Sequence, residues 1–205
     1  MPHWLIESWR SMQWWLRLEI RKGHSFITTL LFSTLILLVV GLFSRRMELS
    51  DGSLRLLFWL SFAFALFQTI PRPILDRRPE EWRWLHQFFS REGNVGGLWM
   101  YALLLSLLVG LYLGGGAYFL WGYKPSFGAI VLGGPTLSLP LTLAAYLTAR
   151  AEASYAVTGV LGFPLLIFPL LWVCIRSQPA LFPLGALLGV ESLLFFFLLP
   201  SVWSD

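Results

Sequence analysis

The amino-acid sequence predicts an all-α, polytopic integral membrane protein, with one transmembrane domain over residues 1–205. The first observation is composition: 57% of the 205 residues are hydrophobic and only 13% are charged, whereas soluble domains carry about 25% charged residues. The second is a positive mean hydropathy of +0.68. The third is a series of uncharged runs, because a helix needs roughly 20 apolar residues to cross the hydrocarbon core. Most of the chain therefore requires a nonpolar environment.

Six such runs follow one another along the chain. The segment before the first run is long and rich in tryptophan, and no small-residue cleavage site follows the run. We therefore interpret this run as a retained span and not as a signal peptide. The second run is the shortest and is bounded by Arg55 and Pro71. The predicted transmembrane helices cover residues 26–44, 56–70, 95–123, 125–149, 153–175 and 179–203.

An amphipathic helix is predicted at residues 4–22, before the first span. Its basic side chains lie on one face, and its hydrophobic side chains recur at helical spacing on the opposite face. That apolar face consists of Leu5, Trp9, Met12, Leu16 and Ile20. Its flanks, which suit the level of the lipid headgroups, carry Trp4, Trp14 and Trp15. The pattern is typical of a helix in the membrane interface, acting either as an anchor or as a lever that transmits a partner's motion to the first span.

Residues 71–93 form the largest polar segment of the chain. Pro71 and Pro73 are expected to end the second span, because proline lacks an N–H and restricts the residue before it. Pro79 then begins a new amphipathic helix over residues 80–92, with Gly93 as its C-cap. The segment holds nine charged residues: Arg72, Asp76, Arg77, Arg78, Glu80, Glu81, Arg83, Arg91 and Glu92.

Two roles fit this second amphipathic helix. It is either another interfacial anchor or a coupling helix that docks in a groove of a cytosolic ATPase subunit, since helix-in-groove recognition uses this spacing of aromatic anchors. Trp and Arg are also enriched among binding hot spots. For the coupling role, the predicted ATPase contacts are Asp76, Arg77, Arg78, Glu81, Trp82, Leu85 and Phe89.

The distribution of Lys and Arg predicts the orientation of the spans. Four basic residues precede the first span, five lie between the second and third, and one lies between the fourth and fifth. The loops on the other side carry three, one and one. Because the cytoplasmic loops of membrane proteins are enriched in Lys and Arg, both termini and residues 71–93 are predicted to be cytoplasmic.

Residue content excludes several kinds of active site. Lys22 and Lys124 are the only lysines and follow no G-x-x-x-x-G loop, so no P-loop for ATP is present. The three histidines lie outside the predicted spans, so haem ligation within the bilayer lacks its usual ligands. No metalloprotease or serine-hydrolase motif occurs. We therefore predict no catalytic residue, no metal site and no directly bound cofactor, with the lipid membrane and proteins as partners and no nucleic acid.

The later spans contain polar and helix-breaking residues of interest. Glu191 is an acidic group near the middle of the sixth span, and such a group is a functional candidate by default; the alternative is a protonated, hydrogen-bonded structural carboxyl. Gly185 and Gly189 indicate a tight helix contact beside it, and Gly110 and Gly114 form a G-x-x-x-G spacing for close packing. Prolines in these spans indicate kinked or re-entrant segments; they are Pro135, Pro140, Pro164, Pro169, Pro179 and Pro183.

Three stretches occur in a distinctive order. The first amphipathic helix enters its span through LRLEIRKGHSFITTLLFSTLILLVVGLF, then comes RLLFWLSFAFALFQTI, and after the cytoplasmic helix comes GGPTLSLPLTLAAYLTARAEASYAVTGVLGFPLLIFPLL. In order and spacing, over residues 10–176, the chain resembles the cytochrome c maturation protein B (CcmB) family, the permease subunit of the haem exporter. The last span is similar only in type, and the cytoplasmic helix is richer in tryptophan than is usual in the family.

The resemblance implies an ABC-2-like permease subunit of six helices in the bacterial inner membrane. It also implies a separate CcmA-like ATPase subunit that binds ATP, a CcmC-like protein that handles haem, a small CcmD-like protein and, indirectly, a CcmE-like haem chaperone. The chain itself would then be no enzyme, and ATP hydrolysis by its partner would serve cytochrome c biogenesis. Two alternatives fit the residues: a generic ABC-2 exporter permease for a lipid, drug or glycan, and a membrane scaffold that transports nothing.

Overall fold

The structure, a computed structural model, describes residues 3–22, 24–47, 49–77, 79–151, 155–175 and 181–202. Over these residues every regular element is an α-helix, which confirms the predicted all-α class. The helices are α1 (His3–Lys22), α2 (His24–Met47), α3 (Asp51–Thr69), α4 (Pro71–Leu75), α5 (Pro79–Phe88), α6 (Arg91–Trp121), α7 (Phe127–Arg150), α8 (Tyr155–Ile175) and α9 (Leu181–Val202).

Five segments of the described chain are long and apolar enough to cross a membrane, which supports a multi-pass membrane protein. They are Ile27–Ser44, Asp51–Leu75, Arg91–Trp121, Phe127–Ala149 and Phe182–Leu199. The predicted span at residues 153–175 corresponds to α8, whose apolar stretch over the described residues is the shorter Ala156–Ile167. Crossing of the membrane by all six helices stays a prediction.

The second span is longer than predicted. Ser50 caps α3 by accepting a hydrogen bond from the backbone N–H of Ser53 (3.3 Å), so the helix begins well before residue 56. At the other end Ile70 keeps right-handed helical backbone angles, and α4 follows it directly. Proline is tolerated in the first turn of a helix, where its missing N–H has no intrahelical partner. Helix α3 ends at Thr69, just before Pro71, as the sequence predicted, but the apolar segment continues through α4 to Leu75.

The polar segment contains one short helix and the beginning of the next long one. The predicted helix over residues 80–92 ends instead with α5 at Phe88. Ser90 then caps α6 by accepting a hydrogen bond from the backbone N–H of Gly93 (3.1 Å). A serine cap at this position outweighs a glycine stop three residues later, because it satisfies an N–H that has no helical acceptor. Gly93 therefore lies in the first turn of α6, and the prediction that it caps α5 is wrong.

Helix α7 lies in the interior, and most of its length is buried. It runs as one helix through Pro135 and Pro140, so this segment is not re-entrant. Hydroxyl groups near the prolines donate to carbonyl oxygens of the same helix, as Ser138 does to Pro135 (3.1 Å) and Thr142 to Ser138 (2.8 Å). Such bonds are one way in which a membrane helix tolerates proline. Helix α8 likewise continues through Pro164 and Pro169.

Of the two glycine pairs, one packs closely and one does not. A Cβ atom on Gly110 would lie 2.6 Å from Ile130 Cγ2, and one on Gly114 would lie 2.9 Å from Ile130 Cδ1, which confirms the predicted packing of α6. At Gly185 and Gly189 no described atom would come within 4 Å of an added Cβ. The prediction of a tight contact at these two residues is wrong for the described part of the chain.

Helix α1 packs along the first three turns of α6 through small residues. Ser8 lies against Gly96, and Ser11 and Met12 lie against Gly97. The buried face of α1 contains Ser8, Ser11, Met12, Trp15 and Glu19. This face is rotated away from the predicted apolar face, because glycines on α6 admit small side chains at close approach. Trp9 and Ile20 are left exposed on the neighbouring flank, where the predicted membrane interface would meet them.

The α1–α6 contact leads to a stability prediction. Gly97→Ala places a Cβ atom 2.5 Å from Ser11 Cβ and 2.9 Å from the backbone nitrogen of Met12, so α1 has to move. We expect the purified protein to lose about 1–3 kcal/mol of stability, the usual cost of overpacking, measured as a lower midpoint of thermal unfolding in detergent.

Gly115→Ala is the matched control, because it lies in the same helix and an added Cβ meets no described atom within 4 Å. It should be neutral or stabilise the protein by up to about 1 kcal/mol, since alanine is the better helix former. Equal unfolding midpoints for the two variants would contradict the packing of α1 on Gly97.

Candidate functional site

The most unusual polar group in the described chain is a buried arginine surrounded by tryptophan. The Arg77 guanidinium carbon lies 3.4 Å from the ring centroid of Trp15, 4.5 Å from that of Trp14 and 5.2 Å from that of Trp82. Arg77 is only 8% exposed. A cation within about 6 Å of a tryptophan face is attracted by the ring's electron density, and more strongly where water is excluded. We call these four residues the Arg77 cluster.

Three separate parts of the chain form this cluster. Helix α1 supplies two adjacent tryptophans, Trp14 and Trp15, whose rings meet edge to face at 5.9 Å. Arg77 follows α4 and is oriented by its own Nε, which donates to the carbonyl oxygen of Pro73 (3.1 Å). Helix α5 supplies Trp82, which meets Trp15 edge to face at 6.4 Å. The cluster therefore connects α1, the end of the second span and α5.

The cluster continues into α6 and α7. Trp15 packs on Tyr101 with ring centroids 5.8 Å apart, and its Nε1 donates to Oδ1 of Asn94 (3.4 Å). Ser11 also donates to that oxygen (2.9 Å). On the other side, Trp82 meets Tyr146 of α7 edge to face at 5.5 Å. Five helical elements thus meet at one junction, and their side chains are closely packed aromatic rings with few alternative rotamers.

Burial determines the charge balance of the cluster. Desolvation lowers the pKa of the Arg77 guanidinium well below its usual range, to about 9, and the negative charge of Glu81 acts in the opposite direction. Arg77 is therefore charged at neutral pH, with the tryptophan faces and Glu81 offsetting the loss of water. Its Nη1 has no hydrogen-bond partner among the described residues. The contacts of this buried charge hold α1, the end of the second span and α5 together.

The structure turns much of the predicted ATPase-contact set inward. Leu85 is fully buried, Arg77 is in the cluster, and Trp82 is half-buried against Trp15 and Tyr146. Glu81 and Phe89 are half-buried, Asp76 is exposed, and Arg78 lies outside the described residues. The apolar side of α5 that the sequence assigned to a partner therefore packs on the protein itself, and its role in binding an ATPase stays a prediction.

The exposed side of α5 contains a residue that was not predicted as a contact. Phe88 is 63% exposed at the last turn of the helix, beside the exposed Gln87. The sequence pattern grouped Phe88 with Trp82 and Leu85 on one apolar arc, and only the packing of α5 separates them. An exposed aromatic ring beside polar groups is the kind of feature that anchors a protein interface.

Of the three tryptophans predicted on the flanks of α1, Trp4 is exposed and Trp15 is not. Trp15 is fully buried inside the protein, where its ring covers the Arg77 guanidinium. The sequence did contain both halves of this cation–π contact: two adjacent tryptophans in α1 and, much later in the chain, the arginine-rich polar segment at residues 71–93. Nothing in the sequence paired them with Arg77 specifically. Asn94 and Tyr101, which support Trp15, were not predicted as site residues at all.

Glu191 lies where the sequence placed it, at the middle of α9. It is partly buried, and it faces a small cleft between α7, α8 and α9. No group of three or more His, Cys, Asp or Glu side chains that could hold a metal ion occurs within the described ranges. The Arg77 cluster lies where α1, α4, α5, α6 and α7 meet, and the Glu191 cleft lies between α7, α8 and α9. They are two separate candidate sites.

Comparison of the chain with protein-family models, with curated proteins and with solved structures found no match. The likeness to the CcmB family accordingly stays at the level of sequence layout.

The charge balance of the Arg77 cluster predicts the effect of removing the cation. Arg77→Met keeps an apolar side chain against the tryptophans but leaves Glu81 without its nearby positive charge. The variant loses the cation–π contacts with the tryptophans, worth about 0.5–2 kcal/mol each, together with the attraction between Glu81 and the guanidinium, so we expect a loss of about 2 kcal/mol. Thermal unfolding in detergent, followed by tryptophan fluorescence, measures it.

Two further variants test whether charge is the cause. Adding Glu81→Gln to Arg77→Met should restore part of the lost stability, because no uncompensated carboxylate is then left. Arg17→Met, at an exposed position on α1, is the control and should change stability by less than about 0.5 kcal/mol. A double variant less stable than Arg77→Met alone would contradict the electrostatic account.

Proposed function

We propose that this protein is the membrane subunit of an ABC-type transporter complex that acts in cytochrome c biogenesis. In this proposal a separate CcmA-like ATPase subunit hydrolyses ATP, and the chain transmits the resulting motion to its membrane helices without an ATPase site of its own. The observation that carries the proposal is the attachment of α5. This short amphipathic helix lies between two long apolar helices and is joined through Trp82 to the Arg77 cluster.

The contacts of α5 support a coupling role. Leu85 is buried and Trp82 contacts both Trp15 and Tyr146, so displacement of α5 displaces side chains of α1 and α7. Arg77 lies over the ring of Trp82 and donates a hydrogen bond to the carbonyl oxygen of Pro73, so the end of the second span is connected to α5 as well. A helix that served only as a lipid anchor would direct its aromatic side chains to the bilayer. Here Trp82 and Leu85 fasten one side of α5 to the protein, and of its other described side chains Gln87 and Phe88 are exposed.

The exposed side of α5 indicates how the ATPase subunit would bind. We propose Phe88 as the aromatic anchor and its neighbour Gln87 as a polar contact, with Asp76, which lies before the other end of α5, as a second polar contact; all three are exposed. The buried members of the predicted contact set, Arg77 and Leu85, would then act by holding α5 in place. This division follows the usual interface anatomy, in which a few apolar anchors are surrounded by polar groups.

The wider assembly follows from the resemblance and the charge distribution. We propose that the protein resides in the bacterial inner membrane, with six spans, an ABC-2-like fold, cytoplasmic termini and α5 in the cytoplasm. The proposed partners are the ATPase subunit, a CcmC-like haem-handling protein and a small CcmD-like protein, with a CcmE-like chaperone acting indirectly. ATP would be bound by the ATPase subunit, and haem would be handled by the wider complex.

Co-purification tests the proposal. The tagged full chain is co-expressed with the ATPase encoded beside it, or with a CcmA-type ATPase, and the amount of ATPase retained per membrane subunit is measured in detergent. Phe88→Ala should reduce retention by roughly tenfold or more, because truncating a hot-spot side chain costs about 2 kcal/mol. The variant should still insert and unfold normally, since Phe88 is largely exposed.

Phe119→Ala provides the matched control. Phe119 is 81% exposed but lies near the opposite end of α6, so its truncation should leave ATPase retention unchanged. Equal retention by the wild type and Phe88→Ala would exclude α5 as the docking helix. Failure of the wild-type chain to retain any ATPase would favour the scaffold alternative.

A further inference from the structure

The carboxyl group of Glu191 has an unfilled hydrogen-bonding requirement. Glu191 is the eleventh of the 22 residues of α9, which places it about 15 Å from either end of that helix at 1.5 Å per residue. Its Oε2 atom is buried and has no hydrogen-bond partner among the described residues. Leaving a buried polar atom unpaired is costly, and more so for a carboxylate than for a neutral group. A partner from outside the described chain would remove this cost.

The Glu191 carboxyl faces a cleft of about 90 Å³ between three helices. This volume exceeds the roughly 30 Å³ that one water molecule occupies in the liquid, so it admits a small polar group together with its first carbon atoms. Apart from Glu191, the cleft is lined by Leu139, Pro140, Leu143, Leu165, Leu194 and Phe195. The walls are therefore apolar and surround a single acidic group.

Among the described residues that line the cleft, Glu191 has the only polar side chain, and none of the six apolar side chains can donate a hydrogen bond. A ligand that completes the ionised Glu191 carboxyl must donate hydrogen bonds, and a positive charge would strengthen them. An anion would meet a carboxylate without any compensating donor.

The cleft opens toward the outer surface of the helix bundle. Leu165 and Leu194 line it and are each about half exposed, and the neighbouring Val190 and Leu161 are exposed as well. In a membrane this apolar surface of α8 and α9 faces the hydrocarbon chains of the lipid or another apolar surface. An occupant can therefore enter from the side, with its own hydrocarbon portion against these exposed side chains.

We propose that the Glu191 cleft is a lateral binding site for a single-chain amphiphile that carries a primary ammonium group. The ammonium group would donate to the Glu191 carboxylate, and the alkyl chain would lie along α8 and α9. An ammonium group brings only the charge that this carboxylate neutralises, whereas a phospholipid headgroup would also carry a phosphate into the hydrocarbon core, where the described lining offers that phosphate no neutralising group. This inference goes beyond the proposed function and does not depend on an ATPase.

The test uses the full chain in phosphatidylcholine nanodiscs, with radiolabelled dodecylamine as the probe. Equilibrium dialysis measures binding above that of empty nanodiscs. The wild type should bind dodecylamine saturably, and Glu191→Gln should weaken binding by about tenfold or more, the scale of one charge-assisted hydrogen bond. Leu194→Trp, which fills the cleft but keeps the carboxyl, should also abolish saturable binding. Glu92→Gln, an exposed carboxyl in the first turn of α6, is the control and should bind like the wild type.

A second measurement identifies the contact directly. In protein labelled with ¹³C at the glutamate carboxyl carbon, the resonance that Glu191→Gln removes should shift when dodecylamine is added. Unchanged dodecylamine binding by Glu191→Gln, or an unshifted Glu191 resonance at saturation, would overturn the proposal. Equal competition by dodecanol would overturn the requirement for a cation. Displacement of dodecylamine in phosphatidylethanolamine nanodiscs would overturn the assignment to a single-chain amine in favour of a lipid headgroup.

Discussion

The structure depends on how it accommodates one buried positive charge. Arg77 lies within 5.2 Å of three tryptophan ring centroids that come from two separate helices. Because these rings and Glu81 replace the lost hydration, the charge can be buried only when α1, the end of the second span and α5 are all in place. A single electrostatic requirement therefore fixes the relative positions of elements that are distant in the sequence.

Close packing and polar bonding support the same junction from the other side. Glycines of α6 allow Ser8 and Ser11 of α1 to approach its backbone, and Asn94 accepts hydrogen bonds from both Ser11 and Trp15. The surface of α1 that faces α6 consequently combines small serines at the glycines with Met12 and Trp15, whereas Trp9 and Ile20 are exposed on its flank. The same helix can thus belong to the protein core and to the membrane interface.

The sequence predicted the all-α class and the long apolar helices, because long uncharged runs depend on local composition. The prediction was less accurate where the position of a side chain depended on a residue far away in the chain. The apolar side of α5 was assigned to an external subunit, but Trp82 and Leu85 pack inside, and this depends on Trp15 and Tyr146 far away in the chain. At the start of α6, signals from Ser90 and Gly93 competed within three residues. Pairwise contacts of this kind cannot be derived from the periodicity of one segment.

The pairing of α1 with α6 also has a consequence for the order of assembly during synthesis. Helix α1 leaves the ribosome before α6, yet the residues of α6 that it packs against extend to Tyr101. Ser11 and Trp15 therefore lack their partners Asn94 and Tyr101 until two membrane segments and the start of a third have been made. During that interval the exposed apolar flank of α1, at Trp9 and Ile20, can rest against another apolar surface. Helix α1 is thus synthesised before its partners on α6 and reaches its final position only after them.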